Sequence, residues 1–273
     1  MAGFRKAAGP MGDRIPVDTV RLRVRDISIS FGGIKALEGV DLEVRGNEIL
    51  SVIGPNGAGK TSLLNCICGF YKPERGSICF EEKDCTHLMP HRRAELGMGR
   101  TFQGIQLYQG MSVLDNIMAG RHVRMKTNIF QSALYWVWAR KEEKGHRAVA
   151  EEIIDFLNMK SIQGKVAADL SYGLMKRVDL GRALALEPRI LIMDEPVAGM
   201  NLTEKEEFAQ FILNIREDRK IPIVLVEHDM GMVMDISDRI VVLDWGKVIA
   251  EGSPEQIKGD PRVISAYLGK VSA

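Results

Sequence analysis

Apolar and polar residues alternate from Val20 to Phe31, with Leu22, Val24, Ile27, Ile29 and Phe31 on the apolar side, and alternate again from Val40 to Val44. A period of two belongs to strands with one covered face, so these stretches predict two antiparallel strands joined through Gly32-Gly33 and a short loop. The pattern then changes. Ile49–Ile53, Ile190–Asp194 and Ile221–His228 are apolar without alternation, as in strands covered on both faces. Gly76–Phe80, Gly99–Gln103, Arg239–Leu243 and Lys247–Ala250 read as further short strands, the last two joined by a Trp245-Gly246 turn.

Helical spacing fills the intervals. A helix starts near Ser62, a short one covers Arg92–Leu96, and another opens at Ser112. Phe130, Leu134, Val137 and Trp138 share one helical face, and Val149, Ile153, Phe156 and Leu157 share the face of a further helix. Met175–Leu186 is ended by Pro188; Thr203–Arg219, Glu255–Lys258 and Arg262–Leu268 follow. Apolar strands set between helices predict an α/β fold with a mostly parallel sheet covered on both sides. His91, Arg92 and Arg93 read as a solvated face, and Arg121, Arg124, Lys126, Arg140, Lys141, Lys144 and Arg147 as decoration of a helical lobe. Trp136 and Trp138 suit either that lobe's own core or a partner surface.

Composition narrows the class. The 273 residues are 45% hydrophobic and 27% charged, enough for one large core, alone or with a smaller lobe. A net charge of +1 gives no broad attraction to nucleic acid or acidic lipid. Cys66, Cys68, Cys79 and Cys85 have no zinc-type pairing and read as buried thiols of a reducing compartment. No apolar run approaches the roughly eighteen residues of a membrane span. Residues 1–18 lack the apolar core of a signal peptide and read as a flexible leader or an expression remnant. The expectation is a soluble, cytoplasmic chain.

The chemistry centres on Gly54-Pro55-Asn56-Gly57-Ala58-Gly59-Lys60-Thr61, followed by Ser62. It has the P-loop spacing, between an apolar strand and a helix start as that motif requires. The glycines let successive N–H groups turn into one concavity at a positive helix end, suited to phosphates. Lys60 would reach the β- and γ-phosphates, and the Thr61 hydroxyl would ligate Mg²⁺. Other positions gain meaning beside it. Phe31 could stack on an adenine ring or face the core. Gln103 could complete the Mg²⁺ shell or hold the attacking water. Asp194, at a strand end, would hold Mg²⁺, and Glu195 would polarise water against the γ-phosphate. His228 is either structural or a contact to the γ-phosphate.

Taken in order, Phe31, GPNGAGKT, Gln103, Leu170-Ser171-Tyr172-Gly173-Leu174, ILIMDEP, Ala198-Gly199-Met200-Asn201 and His228 resemble the nucleotide-binding subunit of an ATP-binding cassette (ABC) transporter. The resemblance runs from about Val20 to the C-terminus. It implies a P-loop NTPase of the ABC cassette type over residues 19–273, with a mostly parallel sheet, an antiparallel β subdomain and an α-helical subdomain at about 104–182. It implies ATP and Mg²⁺ as ligands, adenine stacking by Phe31, Glu195 as general base, His228 as switch histidine, Lys60 as a catalytic contact and Gln103 as sensor. Ser171 and Gly173 would clamp ATP held by the P-loop of a second nucleotide-binding subunit, in a homodimer or with a sister subunit. Integral membrane permease subunits, and through them a periplasmic or extracellular solute-binding protein, would complete the assembly, with the chain cytoplasmic and peripheral on the inner face of the membrane.

Within the family the chain looks most like subunits of importers for branched-chain amino acids and related small amino acids or amides. The cues are LSYG, AGMN, the long helical insert and the tail IAEGSPEQIKGDPRVISAYLG. Lipopolysaccharide-export cassettes share several of these cues. A soluble repair-type ABC ATPase would carry long coiled coils where only 117 positions separate Gly54 from Ser171, and a translation-type one would carry two cassettes. A P-loop kinase or GTPase would leave LSYG unexplained. Two departures stand out: Leu174, where the signature usually has glutamine or glutamate, implies weaker closure or slower turnover, and Asn201 replaces the commoner aspartate.

Overall fold

The structure, a computed structural model of the chain, describes residues 19–124 and 136–268. It falls into two compact units, one made of the described residues up to Met89 with those from Ala209 onward, the other of Pro90–Phe208.

The chain enters unit one as β1 (Val20–Phe31) and β2 (Ile34–Arg45), antiparallel across the Gly32-Gly33 turn. Next come β3 (Ile49–Ile53), buried at all five positions, and α1 (Lys60–Cys68). β4 (Arg75–Phe80) pairs with the free edge of β1, and β5 (Lys83–Asp84) with β4, giving an antiparallel sheet in the order β2-β1-β4-β5. Alternation in β1 puts Leu22, Val24, Ile27 and Ile29 inside.

Unit two holds α2 (Pro90–Glu95), β6 (Met98–Arg100), α3 (Val113–Ala119), α4 (Trp136–Phe156), α5 (Tyr172–Ala185) and β7 (Ile190–Asp194), with β6 and β7 parallel. The last three helices pack through Ile117, Ala150, Ile153, Leu157, Val178 and Leu184, all buried. A Cβ on Gly181 of α5 would lie 2.9 Å from the Ile117 side chain, so a glycine there lets α3 approach closely.

α6 (Leu202–Arg219) leads back to unit one, followed by β8 (Ile223–Val226), α7 (Met230–Ile236), β9 (Arg239–Asp244), β10 (Lys247–Gly252), α8 (Pro254–Lys258) and α9 (Pro261–Leu268). β3 runs parallel to both β8 and β9, and β10 closes the edge antiparallel to β9. The unalternating runs in β3 and β8 reflect cover on both faces.

Several expectations are corrected. Val137 and Trp138 of the first expected helical face lie in the same helix, α4, as Val149, Ile153 and Phe156 of the second, and Gly145 does not break it. Phe130, Leu134, Lys126 and residues 1–18 lie outside the described residues, as do the side chains of Trp136, Val137, Trp138, Arg140 and Lys141. Arg93 is 1% exposed rather than solvated; three consecutive helical residues span about 200° around the axis, so one of them must turn inward. Arg121 is buried too. It donates to Ala185 O at 3.0 Å, and Arg124 to the Leu186 and Glu187 carbonyls at 3.0 Å each, so the two arginines satisfy carbonyls at the end of α5. The strand expected at 221–228 is confined to β8, and β6 stops at Arg100, leaving Gln103 in a bend. β5 and α7 were not signalled by periodicity; each is too short to show one.

Buried Asn116 ties the start of α3 to the loop before it. Its Oδ1 accepts from Tyr108 N–H at 2.9 Å, and its Nδ2 donates to Ser112 O at 3.0 Å and Tyr108 O at 3.1 Å. Removing it would take the acceptor from Tyr108 N–H, whereas the Tyr108 and Ser112 carbonyls keep the N–H groups of Met111 and residue 116 as donors. Asn116→Ala should cost about 1–3 kcal/mol of stability, read as a lower denaturant midpoint at unchanged slope.

Candidate nucleotide site

The loop after β3 is shaped by what surrounds it. A Cβ on Gly54 would lie 2.0 Å from Leu243 O, and one on Gly59 would lie 2.5 Å from Ala36 O, with φ of 150° and 103° respectively. Only glycine fits either place. Gly246 N–H donates to Ala58 O at 3.0 Å, anchoring the loop to the β9–β10 turn. α1 starts at Lys60 from Gly59 with no side-chain cap. Gly59 offers no side chain to cap them, and the first N–H groups sit at the positive end of the helix dipole, which suits an anion. Buried Lys60 donates Nζ to Gly54 O at 2.7 Å and Pro55 O at 3.0 Å. Thr61 is exposed and Ser62 half-buried beside it.

In the register of β3 and β8, Val52 pairs with Val226, so the P-loop and His228 leave the carboxyl ends of adjacent parallel strands. That is the edge where open α/β sheets take their ligands. His228 is exposed, and its N–H donates to the carboxylate of buried Glu227 at 3.0 Å. Phe31 does not face the core: it is 45% exposed and meets Tyr71 edge-on at 5.0 Å.

In unit two, Asp194 ends β7 with its side chain buried. Arg100 donates to its Oδ2 at 3.2 Å, while buried Oδ1 has no hydrogen-bond partner among the described residues. Burial pushes the carboxyl pKa up, and Arg100 opposes that. A bare, buried carboxylate oxygen is the donor type a hard cation takes, so Asp194 fits Mg²⁺. Glu195 follows at φ 49°, in the left-handed region that a non-glycine residue rarely adopts. Gln103 Nε2 donates to Glu195 Oε2 at 2.8 Å. Lys176, 3% exposed on α5, donates Nζ to the carbonyls of Gln103 at 2.9 Å and Glu195 at 3.3 Å. Gln103, Glu195 and α5 are thereby one hydrogen-bonded cluster.

Exposed Ser171 caps α5, its Oγ accepting from Leu174 N–H. Gly173 is buried; a Cβ there would lie 2.5 Å from Glu204 Oε1. Glu204 and Asn201 cap α6 reciprocally: Asn201 Oδ1 accepts from Glu204 N–H at 3.0 Å, and Glu204 Oε2 accepts from Asn201 N–H at 3.1 Å. Tyr172 lies against Gly199, whose added Cβ would meet its ring at 3.1 Å. LSYG and AGMN, read from the sequence as separate cues, are thus packed together, and Asn201 is a helix cap whatever else it does.

The loop, the parallel strands and the uncapped helix define a P-loop nucleotide-binding α/β protein. A family model described as ABC transporter matches residues 37–198, and the chain belongs to that family, whose activity is ATP hydrolysis. A second model, for the branched-chain amino acid ATP-binding cassette transporter, matches residues 247–273. The chain is 37% identical over 249 residues to the high-affinity branched-chain amino acid transport ATP-binding protein BraF of Pseudomonas aeruginosa, covering 91% of this chain and 98% of that one. LivG of Salmonella typhimurium, of the same description, is 39% identical with the same coverage. A crystal structure of a nucleotide-free ATP-binding cassette from an ABC transporter superposes with a TM-score of 0.80 at 33% identity, covering 91% of this chain and 99% of that one. The ADP conformation of a cassette does so at 0.80 and 34%, covering 92% and 99%.

Sequence reasoning passed over Arg100, Lys176 and Glu227. Lys176 left a signal: a lysine on a helix face shared with Gly173 and Leu180, where a charge needs buried acceptors. Asp179, one turn on, was also missed. It accepts from Phe102 N–H at 3.4 Å, and burial pushes its pKa from 3.8 to about 6, opposed by that N–H, Arg182 and Lys176. The folded state then holds this proton more tightly than the unfolded one, so stability falls as pH rises from about 4 to 6, by at most about 3 kcal/mol. Asp179→Asn should flatten that slope and stabilise the protein above pH 6, measured by denaturant unfolding across the window.

Proposed function

We propose that this chain is the ATP-hydrolysing motor subunit of a membrane importer for branched-chain or related small amino acids or amides. The observation that carries this is the near end-to-end match to branched-chain amino acid transport ATP-binding proteins, together with a P-loop whose helix is left uncapped.

On this reading the cassette spans residues 19–273 and its helical subdomain about 104–182. Gly54 to Ser62 bind the phosphates of ATP through main-chain N–H groups and Lys60, and Phe31 stacks on the adenine. Thr61, Gln103 and Asp194 hold Mg²⁺, which when bound offsets charge on the phosphate oxygens. Glu195 takes a proton from the attacking water, and Gln103 and His228 orient that water against the γ-phosphate. Asp194 and Glu195 do different work because they hold different partners, Arg100 and Gln103. Ser171 and Gly173 serve the nucleotide of a second cassette, identical or sister, because one P-loop alone leaves the γ-phosphate open to water. Permease subunits carry the solute, received from a solute-binding protein outside. No described helix is long and apolar enough to cross a membrane, in keeping with a peripheral place on the inner face.

Lys60→Ala should abolish measurable ATP binding. Glu195→Gln should bind ATP like the wild type while hydrolysis drops about 10²–10⁴-fold, the worth of a positioned base. Calorimetry and phosphate release separate the two, and wild-type turnover in Glu195→Gln would remove Glu195 as the base. Tagged protein from detergent-solubilised native membranes should bring permease subunits with it; recovery free of any membrane protein would argue for a soluble ABC ATPase instead.

A further inference from the structure

Lys176 is an ammonium placed where an apolar side chain would serve the fold as well. It sits on α5, 3% exposed, and donates Nζ to Gln103 O at 2.9 Å and Glu195 O at 3.3 Å. Replacing a buried charge by an apolar residue of similar size is often neutral or stabilising, so stability alone does not call for the ammonium. Its effect is local. The side chains of the same two residues are bonded to each other, Gln103 Nε2 donating to Glu195 Oε2 at 2.8 Å. One Nζ thus holds the main chain at both ends of that bond.

Neither of those main-chain positions belongs to a strand or helix. β6 stops at Arg100 and β7 at Asp194, so both residues lie just beyond strand ends. Glu195 has φ 49°, a conformation that a non-glycine residue keeps only where its surroundings fix it. Its carbonyl accepts from Lys176 and, also at 3.3 Å, from Ala198 N–H; the charged donor is the stronger of the two. On the other side, Asp179, one turn along α5, accepts from Phe102 N–H at 3.4 Å. One face of α5 therefore grips the Phe102-Gln103 segment through both a donor and an acceptor.

We propose that Lys176 is a positioning residue for hydrolysis, fixing the main chain at Glu195 and Gln103 so that the Glu195 carboxylate stays aimed at the attacking water. Buried as it is, it acts through Glu195 and not on the nucleotide. The inference rests on the proposed reading of Glu195 as the base.

The test compares the full chain as wild type, Lys176→Met, Lys176→Arg, Glu195→Gln and the double variant, by phosphate release for kcat and KM and by calorimetric titration with Mg-ADP. Lys176→Met should lower kcat about 10²-fold, the cost of a small misplacement, with KM and the Mg-ADP Kd within about 2-fold of wild type. Lys176→Arg, which keeps donors for both carbonyls, should recover most of that loss. Added to Glu195→Gln, Lys176→Met should cost less than about 3-fold more, because the two residues act as a unit. Wild-type kcat in Lys176→Met overturns the inference. So does a loss in the double variant as large as in the wild-type background, or a Mg-ADP Kd that weakens in step with kcat, which marks a merely structural lysine. Lys176→Gln provides the same comparison should Lys176→Met fail to fold. With Glu195→Gln still slow, any of these outcomes leaves Glu195 standing as the base; wild-type turnover in Glu195→Gln removes the base and the inference with it.

Discussion

The positive end of α1, without a side-chain cap, is the feature on which the rest depends. A nine-residue helix begins at a glycine, with no serine, threonine or aspartate to cap it. Helices that close on themselves lose little by carrying such a cap and gain about 1 kcal/mol from it. Leaving it out is sensible where an external anion is to take those N–H groups. The surroundings agree. Gly54 and Gly59 are squeezed by backbone on the side where any other residue would carry a Cβ, and the β9–β10 turn anchors Ala58. The loop is therefore held as a main-chain surface, with buried Lys60 stored against its own carbonyls.

Unit two solves a different problem by the same means. A single buried ammonium, Lys176, gathers the carbonyls beside Gln103 and Glu195, and the two side chains bond each other. A buried lysine costs several kcal/mol unless its donors are satisfied, so the cluster is rigid or it is absent. Because Lys176 and Ser171 share α5, the signature segment and the two residues of proposed catalytic use belong to one body. The capping pair Asn201 and Glu204, with Gly173 against it, extends that body to the start of α6.

Much of the architecture was legible. β1, β3, β4, β7, β9 and β10 lie within two residues of their expected bounds, because alternation in β1, the apolar runs of β3, β7 and β9, and flanking turn residues mark them. Trp245 at φ 44° and Gly246 at φ 76° form the turn their types suggested. The misses have physical causes. A glycine between apolar positions favours a break; α4 nevertheless continues from Trp136 through Gly145 to Phe156, packed on α3 and α5. Arg93 and Arg121 were assigned to solvent by residue type, which records the average cost of burying a charge and not the local supply of acceptors. For Arg121 those acceptors are the closing carbonyls of α5, far along the chain.

By itself the sequence determined the phosphate-binding loop, the family, the order of strands and helices, and which residues are candidates for chemistry. Those follow from spacing within a few residues, where covalent connection already enforces proximity. Only the tertiary structure decided that Gln103 bonds Glu195, that Lys176 bridges both, that Phe31 is exposed, and that Tyr267 packs on the apolar cluster holding Ile53 across more than two hundred positions. Such contacts depend on how layers pack, and a chain of residue types carries no record of distance beyond its local turns.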